Sequence, residues 1–249
     1  VRQQLQAGGG DQIESPVEAA LRIAAELSVR SQVPVINASG VILHTGLGRA
    51  RLAKEVADHV HAIAKSHSSL ELDLDSGKRG DRQVHVRQLL CDLTGGESAL
   101  VVNNCAAAVV LALSALAKGR EVVLSRGQMI EIGGSFRMPE IIAASGCVLR
   151  EVGCTNKTRI ADFRAAISES TGALLVCHPS NYRVVGFTEH PSLAQVVGLG
   201  HEYGLPVIDD LGSGCSLDTT SFGLGRQPMV QDSLLAGADL VMFSGDKLL

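Results

Sequence analysis

From about residue 99 onward, short apolar runs alternate with helical patterns, and this rhythm constrains the fold of the 249-residue chain more than any other feature. Residues 99–103, 121–125, 147–152, 173–178, 206–208 and 239–243 read as strands. Residues 106–118, 160–169 and 193–203 read as helices between them. Strands that alternate with helices predict an α/β fold, a mostly parallel sheet with helices on both faces. Composition agrees. Hydrophobic residues make up 45% of the chain, aromatics only 3%, Trp is absent and there are 27 glycines. An interior built from Ala, Val, Leu and Ile suits closely packed α/β layers better than an aromatic-rich sandwich.

Several classes are disfavoured. A formal net charge of −4 argues against a broadly basic nucleic-acid-binding surface. Cys91, Cys105, Cys147, Cys154, Cys177 and Cys215 are scattered without a C-x-x-C pair, which predicts reduced thiols in a cytoplasmic protein and no disulfide framework. The eight histidines form no ligand-spaced cluster, so no metal site is expected. No secretory signal opens the chain, and the longest apolar stretch, 13 residues from Cys105 to Ala117, is too short to span a bilayer. Residues 1–11 are polar and Gly-rich, and residues 16–30 read as an amphipathic helix. A first residue Val1 and an apolar run stopping at Leu249 lead to the expectation of a piece cut at both ends.

In open α/β sheets the ligand crevice lies beyond the carboxyl ends of the strands. Polar residues follow the apolar runs at Asn103-Asn104, Ser125-Arg126, His178-Pro179-Ser180-Asn181, Asp209-Asp210 and Ser244-Gly245-Asp246-Lys247. A lysine just past a strand is by itself more often a solvated loop residue. Together these clusters match what pyridoxal 5'-phosphate (PLP) needs: an amine for its aldehyde, an acid for its pyridine nitrogen, a phosphate cradle and a ring cover. Lys247 is the candidate amine, with Ser244 free to touch the phosphate. Asp210, 37 residues earlier, is the candidate acid, the alternative being that Asp209 or Asp210 is a helix N-cap, which is common for Asp before Gly-Ser. Asn104, Cys105 and Ala106 open a helix whose small residues let its N–H groups approach a phosphate. An alanine-rich helix packing close to the sheet explains them as well. His178 and Asn181 could lie against the ring or its 3′ oxygen, although a lone histidine at a strand end is more often structural.

Arginines stand beside glycines at Arg49, Arg79, Arg82 and Arg137. Glycine next to arginine lets backbone and guanidinium close together on a phosphate-like anion, with surface ion pairs as the alternative.

The segments VINASGVILHTGLGRA, LELDLDSGKRGDR, SRGQMIEIGGSFRMPEI, EVGCTNKT, HPSNYRVVGFT, DDLGSG and FSGDKLL together resemble bacterial selenocysteine synthase, the L-seryl-tRNA(Sec) selenium transferase family. The resemblance implies the large domain of a fold-type-I PLP enzyme over residues 35–249, with Lys247 the Schiff-base lysine and Asp210 the pyridine partner. Residues 1–34 are then a linker and approach helix, and the family's tRNA-binding and C-terminal domains are missing. It further implies seryl-tRNA(Sec) and selenophosphate as substrates and ring-shaped homo-oligomers built from dimers, with no membrane partner. Under it, Lys247 removes the Cα proton, Asp246 assists hydroxide departure or orients the lysine, and Arg49, then Arg137, grip the donor. Gly46 stands where the family usually has asparagine. A PLP lyase acting on a small amino acid or amino sugar phosphate, and a non-catalytic oligomerising fragment, are the rival readings.

Overall fold

A computed structural model describes residues 14–134 and 136–247. The chain divides into two compact units, Val1–Gly48 and Arg49–Leu249. The expected boundary at residue 34 falls inside the first.

In the first unit, helix α1 spans Pro16–Ser28. The Ser15 hydroxyl accepts the Glu18 N–H and the Glu18 carboxylate accepts that of Ser15. This capping box, with proline in the first turn, starts the helix. Residues Thr45–Leu47 form a 3₁₀ turn at the position of the family departure. Among the described residues His44 Nδ1 is buried without a hydrogen-bond partner. A Cβ at Gly46 would start 3.5 Å from that nitrogen.

The second unit runs α2 (Lys54–Ala64), α3 (Val84–Thr94), α4 (Cys105–Leu116), β1 (Glu121–Ser125), β2 (Glu131–Ile132), β3 (Phe136–Arg137), α5 (Met138–Ala144) and β4 (Val148–Val152). It continues with α6 (Ile160–Ala166), β5 (Thr171–Cys177), α7 (Leu193–Glu202), β6 (Val207–Gly212), α8 (Val230–Leu235) and β7 (Leu240–Phe243). Five strands form one parallel sheet in the order β4-β1-β5-β6-β7, and β2 and β3 pair as a small antiparallel hairpin.

Alternation along the strands builds a core on each face. Val122, Leu124, Ala173, Leu175, Cys177, Ile208 and Met242 pack with α4 and α5 through Val109, Leu113, Met138 and Ile142. Val123, Leu174 and Val207 pack on the other face with α6 and α7 through Phe163, Val196, Val197 and Leu199. Burial on both faces is why these strands are continuous apolar runs rather than alternating ones. The expected fold, helices on both faces of a mostly parallel sheet, is the one observed.

Residues 99–103 are a correction, because they form no strand. Leu100 and Val101 are exposed, and the Gln83 carboxamide bonds both the N–H and the C=O of Val101, at 3.0 Å each. A side chain thus satisfies the backbone that a ladder partner would otherwise take. Strand β6 is longer than the expected 206–208. Asp209 and Asp210 lie inside it, and neither is a helix cap. The β6–β7 register then slips between Asp210 and Gly212, a bulge that re-aims the strand end.

Candidate functional site

Residues at the carboxyl ends of β5, β6 and β7 converge on the N-terminus of α4. Past the end of β7, Ser244 N–H donates to the Gly212 carbonyl at 3.1 Å, and the Lys247 amine donates to the same oxygen at 3.2 Å. The lysine is therefore folded back over the β6 bulge rather than pointing into solvent.

Asp210 lies on the α4 face of the sheet, because it follows the parity of Ile208 on the same strand. Its Oδ1 accepts the Gly212 N–H at 3.0 Å and the Cys105 thiol at 3.4 Å. Burial pushes the carboxyl above its ordinary range, while the two hydrogen bonds and the nearby Lys247 charge pull it back. The Cys105 thiol is pushed up to about 12, by burial first and then by the neighbouring Asp210 charge. Cys177, fully buried beneath, is driven far up by the same two causes.

Asn104 caps α4, its Oδ1 accepting the Ala107 N–H at 2.8 Å. The cap occupies one donor of the first turn. The N–H groups of Cys105 and Ala106 precede it, and these are the ones available to an anion.

Asp209 faces the opposite side. It accepts the Ser233 hydroxyl at 2.6 Å and is pushed up to about 6, chiefly by burial. It lines a cavity of about 290 Å³ together with Ser233 and His178. Burial pulls the half-buried His178 imidazole below its ordinary range. Its backbone N–H bonds the Asp210 carbonyl at 2.9 Å.

Asp246 and Arg49 form an ion pair. Arg49 Nη1 lies 3.0 and 2.8 Å from the two carboxylate oxygens, and the Ala50 N–H donates to the Asp246 carbonyl at 3.2 Å. Arg49 has φ 61°, and no other non-glycine residue among those described has a positive φ. Such a conformation is uncommon outside glycine. The double attachment to Asp246 holds it there.

The other candidates fall elsewhere. Arg79 and Arg82 both pair with Glu71, the former at 2.7 Å and the latter through Nε at 2.6 Å. Arg137 pairs with Glu131 at 2.7 Å and Glu140 at 3.3 Å. Asn181 Nδ2 donates to the Glu131 carbonyl at 3.0 Å, which ties it to the hairpin. The structure thus gathers Lys247, Ser244, Asp210 and Cys105, and sets Asp246 with Arg49. It gives Asn181, Arg79, Arg82 and Arg137 partners outside that cluster, and His178 is among the residues lining the Asp209 cavity.

Gly212, whose carbonyl receives the lysine, and Cys177 were not among the candidates. Ser180 was also missed, and its Oγ lies 3.8 Å from where a Cβ on Gly212 would sit. Gly212 stands in the same DDLGSG segment as Asp210, and the glycine two residues past a strand-end aspartate was the available signal.

A family model described as "SelA: L-seryl-tRNA selenium transferase" matches residues 35–249. The L-seryl-tRNA(Sec) selenium transferase of Carboxydothermus hydrogenoformans is 59% identical over 215 residues, 86% of this chain and 46% of that protein. The protein of the same name from Hyphomonas neptunium is 55% identical over 217 residues, 87% of this chain and 47% of that one. The chain spans about half the length of the curated relatives it matches. Among solved structures, that of D-glucosaminate-6-phosphate ammonia-lyase superposes with a TM-score of 0.64 at 23% identity, covering 82% of this chain and 52% of that one. A SepCysS–SepCysE N-terminal domain complex superposes with a TM-score of 0.53 at 16% identity, covering 79% and 48% of the two chains. At such identities the superpositions speak to the fold alone.

Proposed function

The chain belongs to the L-seryl-tRNA selenium transferase family, and from that premise we propose that the protein carrying it converts seryl-tRNA(Sec) to selenocysteinyl-tRNA(Sec), with PLP as cofactor and selenophosphate as selenium donor. The observation that carries the reading is the convergence of the Lys247 amine and the buried Asp210 carboxylate at the start of α4.

The residues fit the cofactor. Asp210 is only 6% exposed, and the hydrogen bonds to its side chain among the described residues all end on Oδ1. Oδ2 is therefore left for the pyridine nitrogen. Lys247 would hold the aldehyde carbon, and the N–H groups of Cys105 and Ala106 with the Ser244 hydroxyl would hold the phosphate. Bound there, PLP supplies an electron sink for loss of the serine Cα proton and β-hydroxyl.

The chain's own groups do the rest. The Lys247 amine would take the Cα proton and pass it to the departing β-hydroxyl, which leaves as water, and its proximity to the Gly212 carbonyl keeps it aimed at the crevice. The Asp210 carboxylate would pair with the ring nitrogen through Oδ2 and would keep that nitrogen protonated. Asp246 orients Arg49: both of its oxygens face the guanidinium, so it serves as an ion-paired carboxylate rather than as the acid for hydroxide departure. Arg49 contacts Asp246 through Nη1 alone, which leaves Nη2 and Nε to grip the phosphate-like end of the donor. Arg79 and Arg82 support their loop through Glu71, and Arg137 the hairpin through Glu131.

Self-association is part of the proposal. Ile36, Val185 and Phe187 are 93%, 83% and 88% exposed, apolar surface of the kind that partner copies cover. Cytoplasmic residence accords with the scattered free thiols, and no helix among the described residues is long and apolar enough to cross a membrane. The test gives the complete protein seryl-tRNA(Sec) and free serine in parallel, each with selenophosphate. Selenium incorporation into the tRNA-bound amino acid alone is expected. Turnover of free serine alone would overturn the reading in favour of a small-molecule lyase.

A further inference from the structure

The Cys105 side chain has a geometry that its place in the phosphate cradle does not explain. Its backbone N–H stands at the first turn of α4, but its Sγ points away from that turn toward the sheet, 3.4 Å from Asp210 Oδ1 across 105 residues of chain. The same oxygen also accepts the Gly212 N–H at 3.0 Å. Two donors therefore hold one oxygen of a nearly buried carboxylate, and the other oxygen has none among the described residues. We propose that Cys105 is a positioning residue, whose thiol fixes the rotamer of Asp210 so that Oδ2 faces the cofactor nitrogen. This rests on the PLP reading of the site and deepens it.

A thiol suits the position on three counts. It is small and apolar enough to pack against the α4 face of the core, where Cys105 already lies. It offers one hydrogen to a carboxylate that has few other donors available. It also stays protonated, because burial and the Asp210 charge both resist ionisation. A thiolate there would repel Asp210 instead of bonding it. Lys247 adds a further favourable charge to the same carboxylate without a hydrogen bond to it. The thiol and the Gly212 N–H thus set its orientation, and the amine adds only to its electrostatics.

The test measures PLP affinity, not turnover, on the complete protein stripped of cofactor. Five forms are titrated: wild type, Cys105→Ala, Cys105→Ser, Asp210→Asn, and the Cys105→Ala, Asp210→Asn double variant. Losing a hydrogen bond to a charged acceptor is expected to raise the PLP Kd of Cys105→Ala about 3- to 10-fold. Cys105→Ser, which keeps a donor, is expected to stay within about twofold of wild type. In the Asp210→Asn background, Cys105→Ala should add nothing, because residues acting through one another are not additive. If Cys105→Ala weakens PLP equally in both backgrounds, or Cys105→Ser does not restore affinity, the thiol acts through packing and the proposal falls while the cofactor reading stands. If Asp210→Asn itself leaves PLP affinity unchanged, Asp210 is not the pyridine partner, and both fall.

Discussion

Gly214→Ala tests whether the β6–β7 corner places the lysine. Gly214 is buried, at φ 55°, and a Cβ added there would lie 2.5 Å from Cβ and 2.9 Å from Cγ of Phe243. Phe243 is the last residue of β7, paired with Gly212, and Ser244 and Lys247 follow it. Two costs add. A left-handed conformation costs an L-residue about 1–2 kcal/mol. Forcing Phe243 aside in a packed corner costs about 1–3 kcal/mol more. The total of about 2–5 kcal/mol is a large part of an ordinary domain's stability. Displacing Phe243 also drags the segment that hangs the lysine on the Gly212 carbonyl.

Gly223→Ala separates the two costs. Gly223 has φ 73° but no atom within 4 Å of an added Cβ, so that variant carries the backbone strain alone. Thermal unfolding of the cofactor-free complete protein and PLP titration are run on both variants. Gly214→Ala should unfold at clearly lower temperature than Gly223→Ala, and should raise the PLP Kd about tenfold, or 1.4 kcal/mol. Gly223→Ala should leave that Kd within about twofold of wild type. Equal behaviour of the two variants in both measurements would refute the argument that Phe243 transmits the corner's geometry to Lys247.

Three further outcomes are expected. Lys247→Ala should abolish covalent fixation of PLP by borohydride, and a labelled peptide elsewhere in the variant would remove the lysine from its role. Asp209 carries a folded-state pKa of about 6, above its unfolded value, so its contribution favours the fold at low pH and is lost as pH rises through about 6. A shift of roughly 2 units corresponds to about 3 kcal/mol. Thermal midpoints of wild type should therefore fall relative to Asp209→Asn between about pH 4 and pH 6, and parallel curves would contradict the burial argument. Arg49→Ala should change the thermal midpoint little, since exposed pairs contribute about 0–1 kcal/mol. It should sharply raise KM for selenophosphate, and an unchanged KM would return Arg49 to a structural role.

How much of this was legible depended on what each residue must satisfy locally. Strands β1, β5 and β7 could be read because both their faces are covered, so their central positions are apolar. The same rule overreached at residues 99–103, where a run of suitable side chains meets Gln83 instead of another strand. It stopped short in β6 because aspartate argues against a buried strand unless something at its carboxyl end needs a charge. The Arg49 partner was illegible, since nothing in the local sequence ties it to Asp246, 197 residues away.

The choice between Asp209 and Asp210 was within reach. Side chains alternate across a strand, and Ile208 shares its face with Val109 and Leu113 of α4. Asp210 must then face α4, the helix whose N-terminus offers N–H groups to an anion, and Asp209 must face away toward Ser233. A register error of one residue would exchange the two carboxylates and send the acid to the wrong side of the sheet. The bulge after Asp210 acts only beyond this pair, turning Gly212 so that its N–H reaches Asp210 and its carbonyl reaches Lys247. The acid is therefore set by strand parity and the lysine by the bulge, so substitutions at Gly212 should disturb the lysine and the Asp210 hydrogen bond while leaving the face of Asp210 unchanged.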